Sequence, residues 1–207
     1  MSKNAIFENH EKFENNIQNI IKYGLEIVDN KLPYKLEKKS NEEKSMLLEA
    51  LVLRSCSLWA SFVENEVILL ANLDSSKLKN EMGLPQKTKL NLKLIRALLF
   101  SDSYRSYYNV EHSKSEFKKI FAEEYNLFNE IQNEQIKNIS FVFKIRNYLS
   151  HYSAFSRKQL FIAYQKVFNY KRFLEPGQFL MKQEGKSFEK LIHNFKMVSI
   201  VMKNKLK

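Results

Sequence analysis

The sequence has few of the residues that form turns. Of its 207 residues only four are glycine and three are proline, whereas an average chain of this length has about 25 of the two together. A β-sandwich or β-barrel needs a tight turn roughly every 8–12 residues, and the phosphate loops of dinucleotide-binding and P-loop folds need clustered glycines. The four glycines here are all more than five residues apart. These absences argue against those folds and predict an all-α protein.

Long hydrophobic runs and paired cysteines are also absent from the sequence. The longest uninterrupted apolar run is residues 67–71, and a helix that spans a bilayer needs about 20 apolar residues. The first residues lack the apolar stretch of a secretion signal, and a single cysteine, Cys56, suits a reducing compartment. Apolar residues nevertheless make up 44% of the chain, enough for a real core. We therefore expect a folded cytoplasmic protein that does not associate with membranes.

Acidic residues are outnumbered by basic ones. The chain has 34 Lys and Arg against 23 Asp and Glu, which gives a net charge of +11. A balance of this size favours a polyanionic partner, with nucleic acid first and an anionic membrane surface second. Six of the basic residues are Arg and 28 are Lys, and Asn is also abundant, at 20 residues. A general drift of composition towards Lys and Asn is the alternative explanation.

Apolar residues recur at helical spacing along most of the chain. Ser40 and Glu43 have the spacing of a capping box, which predicts that a long helix begins there. Residues 101–113 are ambiguous between a helix end and a loop. The predicted helices cover residues 5–29, 40–73, 90–100, 115–128, 133–149, 157–170 and 187–202.

No internal repeat or long linker divides the chain, so we expect one helical domain over residues 1–207. Its core is expected at about residues 5–170, with a small C-terminal extension at about residues 171–207. The turn signal Glu175-Pro176-Gly177-Gln178 lies between two apolar pairs. It admits a short hairpin before the final helix.

Known metal and nucleophile patterns are not found in the sequence. The four histidines are scattered, no His-Glu-x-x-His or cysteine pair occurs, and Cys56 lies in an apolar helix, where a buried structural thiol is typical. No glycines flank a serine as in a nucleophile elbow. The sequence therefore predicts neither a metal site nor a cofactor.

One segment concentrates groups suited to phosphate chemistry. Arg146, Asn147 and His151 place a permanent cation, an amide and an imidazole within six residues at the end of an amphipathic helix. Cleavage of RNA without a metal needs a base for the 2′-hydroxyl, an acid for the leaving 5′-oxygen and a cation for the phosphorane charge. Histidine can serve as base or acid, and guanidinium matches phosphate oxygens.

The spacing of this segment places a condition on a shared site. On an ideal helix, residues five apart are separated by about 140° around the axis and about 7.5 Å along it. Arg146 and His151 therefore share a site only if the helix distorts near Ser150 or if the long Arg146 side chain reaches around. In the alternative interpretation, both residues cap or solvate a helix end.

Arg146-Asn147-Tyr148-Leu149-Ser150-His151 resembles the Arg-Asn-x-x-x-His signature of the HEPN superfamily. These all-helical domains include metal-independent endoribonucleases of toxin–antitoxin, abortive-infection and CRISPR systems. Residues 58–64 are similar to the aromatic-x-x-Phe-x-Glu helix that many members carry before the motif. Residues 177–201 are similar to the short extension and helix of some stand-alone members.

The resemblance implies a role for each matching residue. His151 would be the catalytic acid or base, Arg146 would bind and polarise the scissile phosphate, and Asn147 would orient one of them or contact the RNA. Glu64 would position Arg146. Members generally dimerise so that two Arg–His pairs line one cleft, which implies a homodimer. The subgroup controlled by a nucleotidyltransferase antitoxin has Tyr two residues after the His, and this chain has Ser153 there.

Basic and aromatic residues around the motif are candidates for RNA binding, because cations attract phosphates and rings stack on unpaired bases. Aromatic residues at this density also pack cores and dimer interfaces, which is the alternative role. The candidates are Lys144, Tyr148, Tyr152, Arg157 and Lys158, with Phe155 as a further ring.

Together these features predict a HEPN-like helical bundle that acts as a metal-independent endoribonuclease. The resemblance implies a toxin or an abortive-infection, antiviral-defence effector that cleaves RNA by 2′-hydroxyl attack, with a cognate antitoxin or regulator protein as a further partner. The alternative is a non-catalytic HEPN-like dimer that binds RNA or a protein. Fold alone does not decide between them.

Overall fold

A computed structural model of the chain describes residues 3–31, 40–100 and 110–206. Regular structure in these ranges is entirely helical and includes no strand, so the predicted all-α class is confirmed. Two 3₁₀ turns, Glu123–Tyr125 and Leu127–Glu130, lie between α5 and α6. The α-helices are α1 (Lys3–Val28), α2 (Asn41–Leu73), α3 (Ser76–Glu81), α4 (Leu92–Phe100), α5 (Val110–Ile120), α6 (Asn133–His151), α7 (Ala154–Phe168), α8 (Pro176–Leu180) and α9 (Lys186–Lys205).

The start of α2 follows the predicted capping box. The Ser40 backbone N–H donates to Glu43 Oε2 at 2.7 Å, and the Glu43 N–H donates to Ser40 Oγ at 3.2 Å. The two bonds satisfy donors that the first turn of a helix leaves without a partner. Of the ambiguous segment 101–113, residues 101–109 lie outside the described residues, and Val110 begins α5.

The buried face of α2 lies one residue further along the chain than Leu47 and Leu51. These two leucines are only half-buried, whereas Leu48 and Val52 are fully buried. Trp59 is also fully buried. Leu47 and Leu51 thus lie at the edge of the face.

The hairpin expected near residue 175 is wrong, because a short helix, α8, occupies that place. Pro176 is at the first helical position, where its fixed φ and missing N–H suit a helix start. The Gly177 N–H donates to Glu49 Oε1 at 2.7 Å, which supplies an acceptor at that start. Phe179 and Leu180 are both buried, as neighbours on a strand with one solvent face would not be.

Contacts group the chain into two compact units. Unit 1 comprises the described parts of Met1–Glu14, Trp59–Gln132 and Val198–Lys207, and unit 2 those of Asn15–Leu58 and Asn133–Met197. In unit 1, the Phe13 and Phe62 rings stack at 4.4 Å, and the Phe117 and Phe128 rings lie 4.4 Å apart. The single-domain organisation stays a prediction.

A polar network with a buried centre, formed by His10, Glu66 and Ser199, crosses the core of unit 1. Glu66 accepts from the Asn9 amide on Oε2 at 2.8 Å and faces His10 Nε2 with Oε1 at 3.1 Å. His10 Nδ1 lies 2.7 Å from Ser199 Oγ, which donates to Glu14 Oε1 at 3.0 Å. Ser199 has only one hydroxyl hydrogen, which it donates to Glu14, so His10 Nδ1 must donate to Ser199. One proton then lies between His10 Nε2 and Glu66 Oε1.

This Ser–His–Glu arrangement has the order of a catalytic triad, but it is not an active site. Ser199, His10 and Glu66 are each 0% exposed, so no substrate reaches the hydroxyl. The serine proton is also directed to Glu14 instead of the imidazole. The network therefore organises the core of unit 1.

Aromatic packing holds the core of unit 2 together. The Phe141 ring of α6 meets the Tyr164 ring of α7 edge-on at 5.4 Å, and both contact Phe179 of α8 at 5.5 and 5.1 Å. Such edge-to-face pairs stabilise a core beyond their buried area. Helices α6 and α7 pack against each other directly. The motif of residues 146–151 lies at the end of α6.

By length and composition, α2 would also be able to cross a membrane. An 18-residue window within it has a mean hydropathy of 1.5, and 39% of that window is buried in the protein. The core helix of a soluble protein meets the same criterion. Some side chains of α2, such as those of Trp59 and Val63, are fully buried in the protein.

Candidate functional site

The motif ends at a tight corner between α6 and α7. Helix α6 includes His151, and the Tyr152 N–H still donates to the Tyr148 carbonyl at 2.8 Å. Tyr152 then has a φ of +43°, the left-handed conformation that often ends a helix. Ser153 caps α7 reciprocally with Ser156, at 3.1 and 3.2 Å. Only two residues thus join the helices, and both have defined conformations.

Helix α6 does not distort before His151. It is α-helical without interruption from Asn133 to His151, so the first of the two routes to a shared Arg146–His151 site is absent. The two residues keep a separation of about 140° around the axis. Within one chain, a common site would require the Arg146 side chain to reach around the helix.

Arg146 and Asn147 contact each other through their side chains. The Arg146 Nη1 donates to Asn147 Oδ1 at 3.0 Å. Arg146 is half-buried and Asn147 is exposed. The amide thereby orients the guanidinium and leaves its other N–H groups for a further acceptor, because guanidinium has five donors.

Cys56 lies close enough to Arg146 for the two to interact electrostatically. Burial raises the pKa of the Cys56 thiol to about 12, although the Arg146 charge acts in the opposite direction. The thiol is therefore protonated at neutral pH. Only thiolate is a strong nucleophile, and the burial of Cys56 agrees with the structural thiol that the sequence predicted.

His151 is exposed at the last position of α6. Within the described residues, its imidazole makes no hydrogen bond or ion pair. Both ring nitrogens are therefore open to a ligand from solution.

Tyr148 lies beneath the corner and not on its surface. It is only 6% exposed, and its ring lies 5.2 Å from that of Tyr152 and 5.5 Å from that of Phe173. Its hydroxyl donates to Glu175 Oε2 at 2.9 Å. Burial, this hydrogen bond and the Glu175 charge raise the pKa of Tyr148. The hydroxyl stays protonated and anchors the last turn of α6, so the ring is not presented to a base.

Replacing Tyr148 by Phe is expected to lower the free energy of unfolding by about 1 kcal/mol, because a net hydrogen bond contributes about that much. Urea denaturation measures the change. Tyr23→Phe is the matched control, since Tyr23 is 53% exposed. Equal stability of the two variants would show that the bond to Glu175 does not hold the helix end.

The other predicted RNA-binding residues differ in exposure. Tyr152 is 66% exposed, Arg157 and Lys158 are exposed, and Lys144 is half-buried. The Arg157 guanidinium lies over the Phe173 ring, 4.1 Å from its centroid. This cation–π contact fixes its direction without neutralising its charge.

Glu64, the predicted support for Arg146, belongs to unit 1 and forms an ion pair with Arg96 there. Both side chains are more than one-third exposed. A pocket of about 410 Å³ in the same unit is lined in part by Arg96, Lys12 and Lys93. In the described residues, no group of three or more His, Cys, Asp or Glu could hold a metal ion.

The most informative charge pattern is a local absence of acidic residues, which the net charge of the whole chain does not reveal. Residues 135–174 contain eight Lys and Arg and no Asp or Glu. At the average frequency of 23 acids in 207 residues, these 40 residues would hold about four. The acid-free segment, residues 135–174, includes nearly all of α6 and the whole of α7. Most of the net charge of +11 therefore arises in the part of the chain that carries the motif.

Comparison with protein-family models, curated proteins and solved structures found no match to this chain. The functional assignment therefore depends on the residues of the site.

Proposed function

We propose that the protein is a metal-independent endoribonuclease whose reactive groups are His151, Arg146 and Asn147 at the end of α6. The observation that carries the proposal is the exposed imidazole of His151, five residues from the hydrogen-bonded Arg146–Asn147 pair, inside an acid-free segment. A surface of this charge attracts phosphates. Imidazole can supply the base or acid that transesterification of RNA requires, and guanidinium can stabilise the charge on the phosphorane.

In the proposed reaction the 2′-oxygen of a ribose attacks the adjacent phosphorus as its proton passes to a base. A bond forms between the 2′-oxygen and phosphorus, and the bond between phosphorus and the 5′-oxygen breaks. The leaving oxygen takes a proton from an acid, so the products are a 2′,3′-cyclic phosphate and a 5′-hydroxyl. His151 serves as base or acid. Arg146 stabilises the charge on the phosphorane, and Asn147 holds the guanidinium.

The uninterrupted helix supports a site made by two copies of the chain. Arg146 and His151 are about 140° apart around the axis of α6, so their side chains leave the helix in different directions. In a homodimer, the Arg–His pairs of two chains line a common cleft, as the HEPN resemblance implies. The second imidazole then supplies the acid while the first acts as base.

The resemblance extends the proposal to a biological setting. We infer a cytoplasmic toxin or abortive-infection effector that is held in check by an antitoxin or another regulator protein. A non-catalytic HEPN-like dimer that binds RNA or a protein is the second candidate, and the acid-free segment favours its RNA-binding form.

The proposal is tested with a defined RNA and its 2′-O-methyl analogue, each incubated with the purified protein in EDTA. We expect cleavage of the RNA alone, at a rate that EDTA does not change, because the attacking oxygen belongs to the substrate. The analogue stays intact since its 2′-oxygen carries a methyl group. Cleavage of the analogue, or cleavage that requires a divalent cation, would contradict this chemistry. Binding of RNA without cleavage would favour the non-catalytic candidate.

A further inference from the structure

The corner between α6 and α7 exposes two aromatic rings. Phe155 is 73% exposed and Tyr152 is 66% exposed, the highest values for large hydrophobic side chains in the described ranges. Both lie within four residues of His151. Single exposed hydrophobic residues are ordinary on protein surfaces. Two such rings beside a group of reactive residues require a more specific explanation.

The conformation of the corner is constrained. Tyr152 has a left-handed backbone at φ +43°, where asparagine or glycine is far more usual. Its ring contacts the ring of Tyr148, which is itself tied to Glu175. Phe155 is the second residue of α7, directly after the Ser153 cap. Neither ring therefore needs a large backbone rearrangement before it contacts a ligand.

The charge around these rings selects the ligand. Arg157 and Lys158 follow Phe155 in the first turns of α7, and both are exposed. The acid-free segment contains eight basic residues. The carboxylates of Glu49 and Glu175 lie near enough to Tyr152 to act on its hydroxyl, whereas the exposed charges next to Phe155 on α7 are the cations Arg157 and Lys158. An apolar ring flanked by these cations fits a polyanion that carries aromatic groups. Single-stranded RNA has this combination, because its phosphates meet the cations and its unpaired bases stack on rings.

We propose that Tyr152 and Phe155 form a stacking surface for unpaired RNA bases next to the scissile phosphate. This inference rests on the proposed function and adds its substrate class, which is RNA with unpaired nucleotides at the cleavage site. Bases inside a duplex are already stacked on their neighbours and do not offer a free face. The surface therefore selects single strands and loops over helices.

The experiment measures binding without cleavage. The probe is a fluorescent 12-nucleotide RNA with 2′-O-methyl groups throughout, compared with the same strand carrying three abasic nucleotides at its centre. Stacking energies predict that Phe155→Ala weakens binding to the intact strand about tenfold. The abasic strand should bind wild type and Phe155→Ala equally, because it has no base to stack at the centre. Fluorescence anisotropy gives the dissociation constants.

Three variants serve as companions. Tyr152→Asn removes the second ring and keeps a residue that tolerates the left-handed backbone, so it should weaken binding to the intact strand in the same way. Tyr23→Ala removes an exposed ring of α1 and should leave binding unchanged. His193→Ala changes an exposed residue of α9 and should likewise leave binding unchanged.

Wild-type affinity of Phe155→Ala for the intact strand would overturn the inference. So would an equal loss on the intact and the abasic strands, because that pattern indicates a general disruption. A change of oligomeric state in Phe155→Ala with unchanged RNA affinity would assign the ring to a protein interface instead. Because the probe cannot be cleaved, absence of nuclease activity would refute the proposed function and leave this measurement intact.

Discussion

Replacing His151 by Ala is expected to lower the rate of RNA cleavage by about 10²–10⁴-fold, the usual contribution of a general acid or base. The imidazole is exposed and makes no hydrogen bond to another described residue, so its removal should leave the fold unchanged. Surface substitutions of this kind change stability by about 0.5 kcal/mol or less. A loss of rate with an unchanged melting curve therefore assigns the chemistry to this side chain. Single-turnover cleavage of a defined RNA measures it.

His193→Ala is the matched control for this variant. His193 is likewise exposed and lies on α9, so its replacement should leave the rate within about twofold of wild type. Equal rates in the two variants would show that His151 has no catalytic role.

The largest expected effect on stability comes from the buried network of unit 1. Glu66→Ala removes the acceptor of both Asn9 and His10, and Glu66 and His10 are completely buried. Removing one partner of a buried hydrogen-bonded pair leaves the other unsatisfied, which costs about 1–3 kcal/mol, and more where that group is charged. We expect a loss of that size in the free energy of unfolding, measured by urea denaturation.

Glu64→Ala provides the contrast two residues away on the same helix. Its ion pair with Arg96 is exposed to solvent, and such pairs contribute about 1 kcal/mol or less. If Glu66→Ala does not fold, Glu66→Gln and His10→Gln, singly and together, give the coupling between the two side chains by a double-mutant cycle. Additive effects in that cycle, or a loss below 1 kcal/mol in Glu66→Ala, would contradict the network.

Local signals in the sequence predicted most of the long helices, but the helix expected over residues 115–128 ends at Ile120 and two 3₁₀ turns follow it. The capping box of Ser40 and Glu43 and the apolar period of residues 133–149 depend on neighbours in the chain, and both reappear in α2 and α6. The short helices α3 and α8 were missed. Turn residues at 74–76 and 175–178 mark an end of regular structure, but they do not say whether one further helical turn follows.

Contacts between residues that are distant in sequence explain most of the other differences between the predicted and the observed structure. The bond from Tyr148 to Glu175 spans 27 residues and turns an expected surface ring into an anchor. The bond from Gly177 to Glu49 spans 128 residues and supports α8 where a hairpin was expected. Glu64 meets Arg96, 32 residues away. Periodicity and motif spacing contain no information about such pairs.

The features of the site likewise divide into those that local sequence predicted and those that it did not. Arg146, Asn147 and His151 are identified by their spacing, and the position of all three near the end of α6 is a consequence of local structure. The sequence predicted Phe155 only as a further ring that could bind RNA, because residue type alone does not show whether a side chain is exposed. The missing acids of residues 135–174 were readable from the sequence throughout. The net charge of successive sequence windows reveals this acid-free segment, whereas the net charge of the whole chain does not.

The central claim is that the end of α6 cleaves RNA through His151. Its most direct test incubates total cellular RNA with wild type, His151→Ala and His193→Ala in EDTA, with folding matched by circular dichroism, and maps the new ends. We predict fragments with 2′,3′-cyclic phosphate and 5′-hydroxyl ends from wild type and His193→Ala only, and their sequences would identify the preferred substrate. The same fragments from His151→Ala, or intact RNA in all three reactions, would contradict the claim.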